Sequence, residues 1–305
     1  MRILFAGTPT TAATVLEGLI ASGHEVVAVL TREDSLVGRK KVLTPSPVAL
    51  AAEKHSLPVI KSSKLTPEVL QSISEFKAEL AVVVAYGVIL KQDALDSVPN
   101  GWFNLHFSHL PRWRGAAPVQ RAIQAGDTEI GVSLFRIDTG LDTGPVLAVA
   151  DTIIEPDESA GDLLGRLAKI GVSLLNQELP RLYSGSYELT GQMGEASLAP
   201  KLNRDDARID FSKRALEVSN LVRAMNPEPI AWCQLAGESM RVLRARPVVS
   251  SIELSLGEVM VDGNRVLVGC GDRSTLELLE VQPASKNVMS AHSWMNGQSD
   301  KVVLE

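Results

Sequence analysis

Residues 80–85 read Leu-Ala-Val-Val-Val-Ala, an unbroken apolar run that is too short for a helix and rich in β-branched side chains. A strand that is apolar on both faces belongs in the interior of a parallel sheet, with helices packed above and below. The chain around it fits that demand. Residues 2–6 form a short apolar strand, Gly7-Thr8-Pro9 turns it, and Ala12, Val15, Leu16 and Leu19 make one stripe of a helix over 10–22, followed by a strand over 24–30. Ser46-Pro47 and Thr66-Pro67-Glu68 are helix starts, predicting helices to about 55 and 76 with a short strand at 58–60 between them. Residues 129–136 and 145–153 read as strands and 118–124 as a helix. Ser159 and Asp162 make a capping box ahead of a long amphipathic helix to about residue 183.

The expectation is therefore an α/β protein with a Rossmann-like, mostly parallel sheet. From 184 to 202 the chain is irregular and rich in Gly and Ser, so the domain is placed at 1–188 and a linker at 189–203. Residues 204–305 begin with a helix over 213–225 and then break into short segments at 240–244, 257–261, 265–269 and 275–281, the spacing of a small antiparallel β-barrel of the oligonucleotide-binding kind. At 305 residues and 45% hydrophobic the chain has ample apolar material for two such cores.

A net charge of -6 argues against general affinity for nucleic acid and requires any RNA site to be local. Residues 200–250 carry nine Lys and Arg against six Asp and Glu, net +3, and are the basic part of an otherwise acidic chain. Cys233 and Cys270 match no metal or redox spacing, which points to a reduced cytoplasmic setting. The apolar run at 80–90 is too short to cross a bilayer and the first residues read as a strand, not a signal peptide, so no membrane association is expected.

Chemistry concentrates between Trp102 and Pro118. In an extended strand Asn104 and His106 project from one face, and Phe103, Leu105 and Phe107 from the other. The loop that follows lies at the strand's carboxyl end, where open α/β sheets bind ligands. An amide that donates to a developing oxyanion and an imidazole that shuttles a proton suit acyl transfer. By themselves the two residues are equally a strand-end cap and a histidine satisfied by a backbone carbonyl. Two aspartates compete nearby: Asp138 reads as a turn residue bonding its own loop, and Asp142 follows four residues later. Residues 31–47 form a long irregular segment whose Arg39, Lys40 and Lys41 suit phosphate contact by charge, or form a solvated loop. The opening turn has one glycine and no Gly-x-Gly-x-x-Gly, so a nicotinamide oxidoreductase is disfavoured.

The run Asn104-x-His106-x-Ser108-x-Leu110-Pro111, followed by Arg114-Gly115-x-x-Pro118, resembles the signature of the formyltransferase family. Asp142 falls where that family carries a third catalytic residue, and the likeness, closest to the members that act on methionyl-tRNA, extends to 2–9, 83–87 and 207–212. The resemblance implies transfer of formyl from 10-formyltetrahydrofolate to the amino group of methionine on initiator tRNA, by direct amine attack and without a metal. It implies catalytic roles for Asn104, His106 and Asp142, with the carboxylate favouring the charged imidazole. It implies a folate pocket at Ser108, His109, Leu110 and Pro111 and at Tyr86, Gly87, Val88, Ile89 and Leu90. The 31–47 loop would enter the tRNA acceptor arm, the barrel would grip the tRNA, and the enzyme would act as a monomer. His109 departs from the family, which usually has Leu there. The rivals are a formyltransferase acting on a sugar nucleotide or other small amine, and a non-catalytic RNA-binding module.

Overall fold

The computed structural model describes residues 1–38, 40–298 and 301–305. Contacts divide them into two compact units, one of residues 1–118, 130–152 and 164–199, the other of residues 119–129, 153–163 and 200–305.

In the first unit β1 (Ile3–Gly7), α1 (Thr10–Ala21) and β2 (Val26–Thr31) form the opening βαβ turn. The segment expected to be irregular contains a hairpin of β3 (Ser35–Val37) and β4 (Val42–Thr44), paired antiparallel. Its signal is faint because each strand has three residues and neither covers a core: Leu36, Val37, Val42 and Leu43 are 52–63% exposed. α2 (Pro47–Lys54), β5 (Val59–Lys61), α3 (Pro67–Glu75), β6 (Leu80–Val84) and the short α4 (Gln92–Leu95) lead to β7 (Trp102–His106). The Ser46 hydroxyl accepts from the Ala49 amide at 3.0 Å, as its position before Pro47 predicts. β8 (Arg114–Gly115), β9 (Glu129–Arg136), β10 (Val146–Ile153), α6 (Ala160–Ser184) and β11 (Leu198–Ala199) complete the stretch, while α5 (Pro118–Ala125), between β8 and β9 in the chain, falls but for its first residue in the second unit.

The main sheet has the order β10-β9-β7-β6-β1-β2-β5. β6 pairs in parallel with β1 and β7, and its five residues are all buried, as a doubly covered strand must be. β7 turns antiparallel to β9, with Asn104 opposite Phe135 and His106 opposite Ser133. On the other face of β7, Leu105 meets α6 at Gly171, where a Cβ would come within 2.3 Å of the leucine Cδ2. The segment expected as a linker is hydrogen-bonded along its length: Thr190 pairs with Val146, and β11 pairs in parallel with β8.

The second unit contains α7 (Ala215–Ala224) and a sheet of β12 (Ala231–Leu235), β13 (Glu238–Val248), β14 (Glu258–Asp262), β15 (Arg265–Gly269), β16 (Thr275–Gln282), β17 (Met289–Ser290) and β18 (Val302–Val303), with α8 (Ala291–Met295) between the last two. The order is β12-β13-β16-β15-β14-β18, and all the pairings are antiparallel. The ends meet through backbone bonds between Gln234 and Glu305 at 2.7 and 2.9 Å, which close the sheet into a barrel. Its core includes Val218, Val222, Met240, Val242, Val266, Leu276, Trp294 and Val302. Cys233 and Cys270 are free and buried in it, and burial pushes both thiols up to about 12.

Candidate active site

β7 delivers Asn104 and His106 to the same face because they are two residues apart on one strand. His106 is buried with its ring edge-on to Phe135, and its Nε2 lies 2.9 Å from the Trp113 carbonyl. A carbonyl only accepts, so Nε2 carries the proton and the neutral ring leaves Nδ1 as its basic nitrogen. Nδ1 faces Asp142 Oδ2 at 3.8 Å. A lone pair opposite a carboxylate is an unfavourable arrangement that a proton placed on Nδ1 relieves. The pair is thus built to receive a proton.

The charge state differs from the sequence expectation. Burial pushes the His106 pKa below its ordinary 6.5, and this outweighs the upward pull of Asp142 and of the Trp113 carbonyl. The resting imidazole is neutral, so it has a base to offer and gains an N–H at Nδ1 only after taking a proton. Asn104 supplies the other polar edge: its Oδ1 is buried with no hydrogen-bond partner. An orphaned buried amide oxygen is costly, so the atom awaits a donor, and a half-turn of the amide presents NH2 at the same place.

Three residues with positive φ converge here: Trp113 at 62°, Asp142 at 52° and Gly115 at 123°. The first two are not glycine and hold this conformation because their backbones are over-determined by neighbours. The Gly115 amide donates to Asp142 Oδ2 at 2.8 Å, fixing the carboxylate toward His106. A Cβ on Gly115 would meet the Ala199 carbonyl at 2.7 Å, so this close pairing of β8 with β11 requires glycine. Asp138 bonds its own loop, accepting from the Gly140 amide at 3.0 Å and the Thr143 hydroxyl at 2.7 Å, which leaves Asp142 as the aspartate beside the imidazole.

Sequence reasoning missed two supporting residues, Gln192 and Ser197, both in the expected linker. Gln192 Nε2 donates to the carbonyls of Asp142 and Gly144 at 2.8 Å each, and its Oε1 accepts from the Arg114 guanidinium at 2.6 and 3.1 Å. The Ser197 hydroxyl accepts from the Trp113 amide at 2.9 Å. Neither lies in a recognisable motif, because a lone Gln or Ser in a polar segment has no local signal.

The expected folate residues form two groups. Ser108 is fully buried, its hydroxyl donating to the Arg112 carbonyl at 2.7 Å, while its own carbonyl accepts from Ser133. Ser133 Oγ also accepts from the Leu110 amide at 3.3 Å, so the 108–112 loop up to Pro111 is braced from β9. His109 lies over Gly131, where a Cβ would come within 2.6 Å of its ring, and pairs with Asp151 on β10. In the second group Tyr86 is a core residue: its phenol donates to the Ser62 carbonyl at 2.7 Å and burial raises its pKa to about 12. Gly87 and Ile89 are exposed, Val88 half-buried and Leu90 buried, so this segment offers backbone and Ile89 to its surroundings. Of the basic triplet, Lys40 and Lys41 are exposed at the hairpin tip, and Arg39 lies outside the described residues. Among the described residues no group of three His, Cys, Asp or Glu has metal-binding geometry, and no helix is long and apolar enough to cross a membrane.

The formyl transferase family model matches residues 1–179, and the model of the formyl transferase C-terminal domain matches residues 201–299. The methionyl-tRNA formyltransferase of Leifsonia xyli subsp. xyli is 45% identical over 304 residues, spanning 100% of both chains. Among solved structures, a sugar 3N-formyltransferase crystallised with dTDP and 5-N-formyl-THF superposes with a TM-score of 0.68 at 19% identity, covering 94% of this chain and 99% of its own. A methionyl-tRNA formyltransferase from Clostridium thermocellum superposes with a TM-score of 0.57 at 16% identity, covering 89% of this chain and 100% of its own. These two likenesses concern the fold. With both family models matched along nearly its whole length, the chain belongs to the formyl transferase family.

Proposed function

We propose that this chain transfers the formyl group of 10-formyltetrahydrofolate to the free amino group of methionine on initiator tRNA, giving N-formylmethionyl-tRNA and tetrahydrofolate. The observation that carries the reading is 45% identity over the full length, both domains included, to a methionyl-tRNA formyltransferase.

The amine nitrogen attacks the formyl carbon while the Asn104 amide bonds the oxygen that gains negative charge. The proton leaving the amine passes to His106 Nδ1, where Asp142 stabilises it. The ring then has an Nδ1–H to offer the oxyanion, and the proton leaves with the folate nitrogen as the old carbon–nitrogen bond breaks. No covalent enzyme intermediate is needed, only alignment. Ser108, His109, Leu110 and Pro111, with Tyr86, Gly87, Val88, Ile89 and Leu90, bound the folate chiefly through their backbone, the buried Ser108, Tyr86 and Leu90 side chains holding the two segments from behind. Lys40 and Lys41, together with Arg39, contact tRNA phosphates. Residues 1–188 serve as the catalytic domain and 204–305 as the tRNA-binding barrel. Residues 189–203 join them, while Gln192 and Ser197 hold the Asp142 and Trp113 backbone.

The test supplies methionine-charged initiator tRNA and 10-formyltetrahydrofolate and looks for the formylated product, with charged elongator tRNA and a dTDP-amino sugar as parallel substrates. Formylation of the sugar in preference to the initiator tRNA overturns the reading.

A further inference from the structure

His109 stands in the loop that follows β7, and its backbone and side chain point to different partners. The backbone is tied into a tight turn: the Arg112 amide donates to the His109 carbonyl at 2.8 Å, and the Ser108 hydroxyl donates to the Arg112 carbonyl at 2.7 Å. Ser133 on β9 holds the same turn near its root, accepting from the Leu110 amide and donating to the Ser108 carbonyl. The imidazole leaves the turn, lies over Gly131 of β9 and pairs with Asp151 on β10, the strand at the edge of the sheet. A carboxylate only accepts, so His109 Nε2 carries a proton and donates to Asp151 Oδ1.

Gly131 is what lets the ring lie there. It is two residues from Ser133 on β9 and so shares its face, the face that also carries His106 opposite Ser133. A Cβ at 131 would come within 2.6 Å of the ring Cδ2 and 3.0 Å of Nε2. The position lies within an eight-residue strand and its φ is not positive, so the backbone itself has no need of glycine, and a glycine weakens a strand. The imidazole supplies the reason for it. A leucine at 109, the residue usual in the family, would cover Gly131 but has no donor to offer Asp151.

We propose that His109, Gly131 and Asp151 form a latch that seats the 108–111 loop on β9 and β10, with His109 as a positioning residue for the formyl donor. The latch rests on the proposed folate reaction and names a contact through which this chain tunes its affinity for the donor. The turn bonds and Ser133 hold the loop at its root, and the latch adds a second hold one strand further out. Its loss therefore shows in donor binding and not in the chemical step, whose side chains stand on β7 and in the 138–144 loop. An ion pair as exposed as this one contributes at most about fivefold to an equilibrium. Seating of the ring on Gly131 supplies the rest of the hold.

The test titrates 5-formyltetrahydrofolate, which binds without reacting, into wild type and four variants by fluorescence, and measures KM for 10-formyltetrahydrofolate and for the tRNA alongside. His109→Ala is expected to weaken binding and raise the donor KM by about five- to tenfold, with kcat and the tRNA KM within about twofold of wild type. His109→Gln, whose amide N–H can still reach Asp151, is expected to recover part of that loss. Asp151→Ala is expected to lose about two- to fivefold. Gly131→Ala displaces the ring, so it is expected to resemble His109→Ala and to add nothing to it in the double variant. Wild-type affinity in His109→Ala, or a Gly131→Ala loss that persists undiminished in the His109→Ala background, overturns the latch. Should the variants at 109 or 131 fold poorly, Asp151→Ala, at a side chain 72% exposed, decides: wild-type affinity there overturns the latch. A wild type that does not bind 5-formyltetrahydrofolate overturns the proposed function and the latch together, whereas one that binds it no better than the variants do overturns the latch alone.

Discussion

His106 carries the sharpest consequences at the scale of single residues. Its pKa is lowered, first by burial, so the folded protein favours the neutral ring. The linked stability is present above the unfolded value near 6.5 and is lost as pH falls through the lower folded value. A titration of the ring followed by nuclear magnetic resonance should therefore show a midpoint below 6.5. In Asp142→Asn the midpoint should fall further, because the carboxylate that opposes burial has been removed; an upward move would mean that Asp142 does not act on this ring. Catalysis separates the polar groups. Asn104→Ala removes an amide whose Oδ1 bonds nothing in the resting protein, so it should cost little stability while lowering kcat by about 10²–10³. Asp138→Asn, a change in a carboxylate that only ties its own loop, should leave kcat within a few-fold of wild type, and single-turnover formylation distinguishes the two outcomes. At this scale the sequence brought forward Asn104, His106 and Asp142 through motif spacing. It pointed to a charged ring where the folded protein holds a neutral one, because the charge of a buried imidazole depends on how much water the fold removes and not on which residues neighbour it in the chain.

Elements hold these groups in register, and the tightest joint is between β7 and α6. Gly171 lets the helix lie directly on Leu105, between the two site residues of the strand, with no room for a methyl group. Gly171→Ala is expected to destabilise the protein by about 1–3 kcal/mol through overpacking, with a matching drop in melting temperature. Leu105→Ala should recover part of that loss when combined with it, since the two side chains compete for one space. Strict additivity in the double-mutant cycle would show that the contact is not the cause. Helix starts and central strands were legible in advance because a capping hydroxyl, a proline at the first turn or an unbroken Val-rich run acts locally. The Ser159/Asp162 box is an instance, with the Ser159 hydroxyl and Asp162 carboxylate 2.6 Å apart. The 35–44 hairpin escaped notice because its apolar residues face outward and leave no period to read. The two-residue pairing of β8 with β11 escaped too, because it joins segments more than eighty residues apart.

For the molecule as a whole, the closure of the barrel depends on its last residues. Val302 and Leu304 are 5% and 3% exposed within that core, and Glu305 completes the pairing with Gln234. Removing residues 302–305 should cost about 3–6 kcal/mol from the two buried side chains alone. Hydrogen exchange should then rise across β12 and β14, the strands that lose a neighbour; unchanged protection there would show that the barrel does not need the closure. The sequence by itself determined the layered α/β class, the antiparallel barrel and the strand-and-loop run that carries the candidate site, because periodicity, caps and motif spacing are short-range properties that survive without coordinates. Only the tertiary structure decided that His106 is neutral and presents Nδ1 to Asp142, that Gln192 and Ser197 brace the site, and that the Arg204 and Arg208 guanidiniums stack on Trp232. Desolvation and cross-strand proximity are set by segments that meet only once the chain has folded.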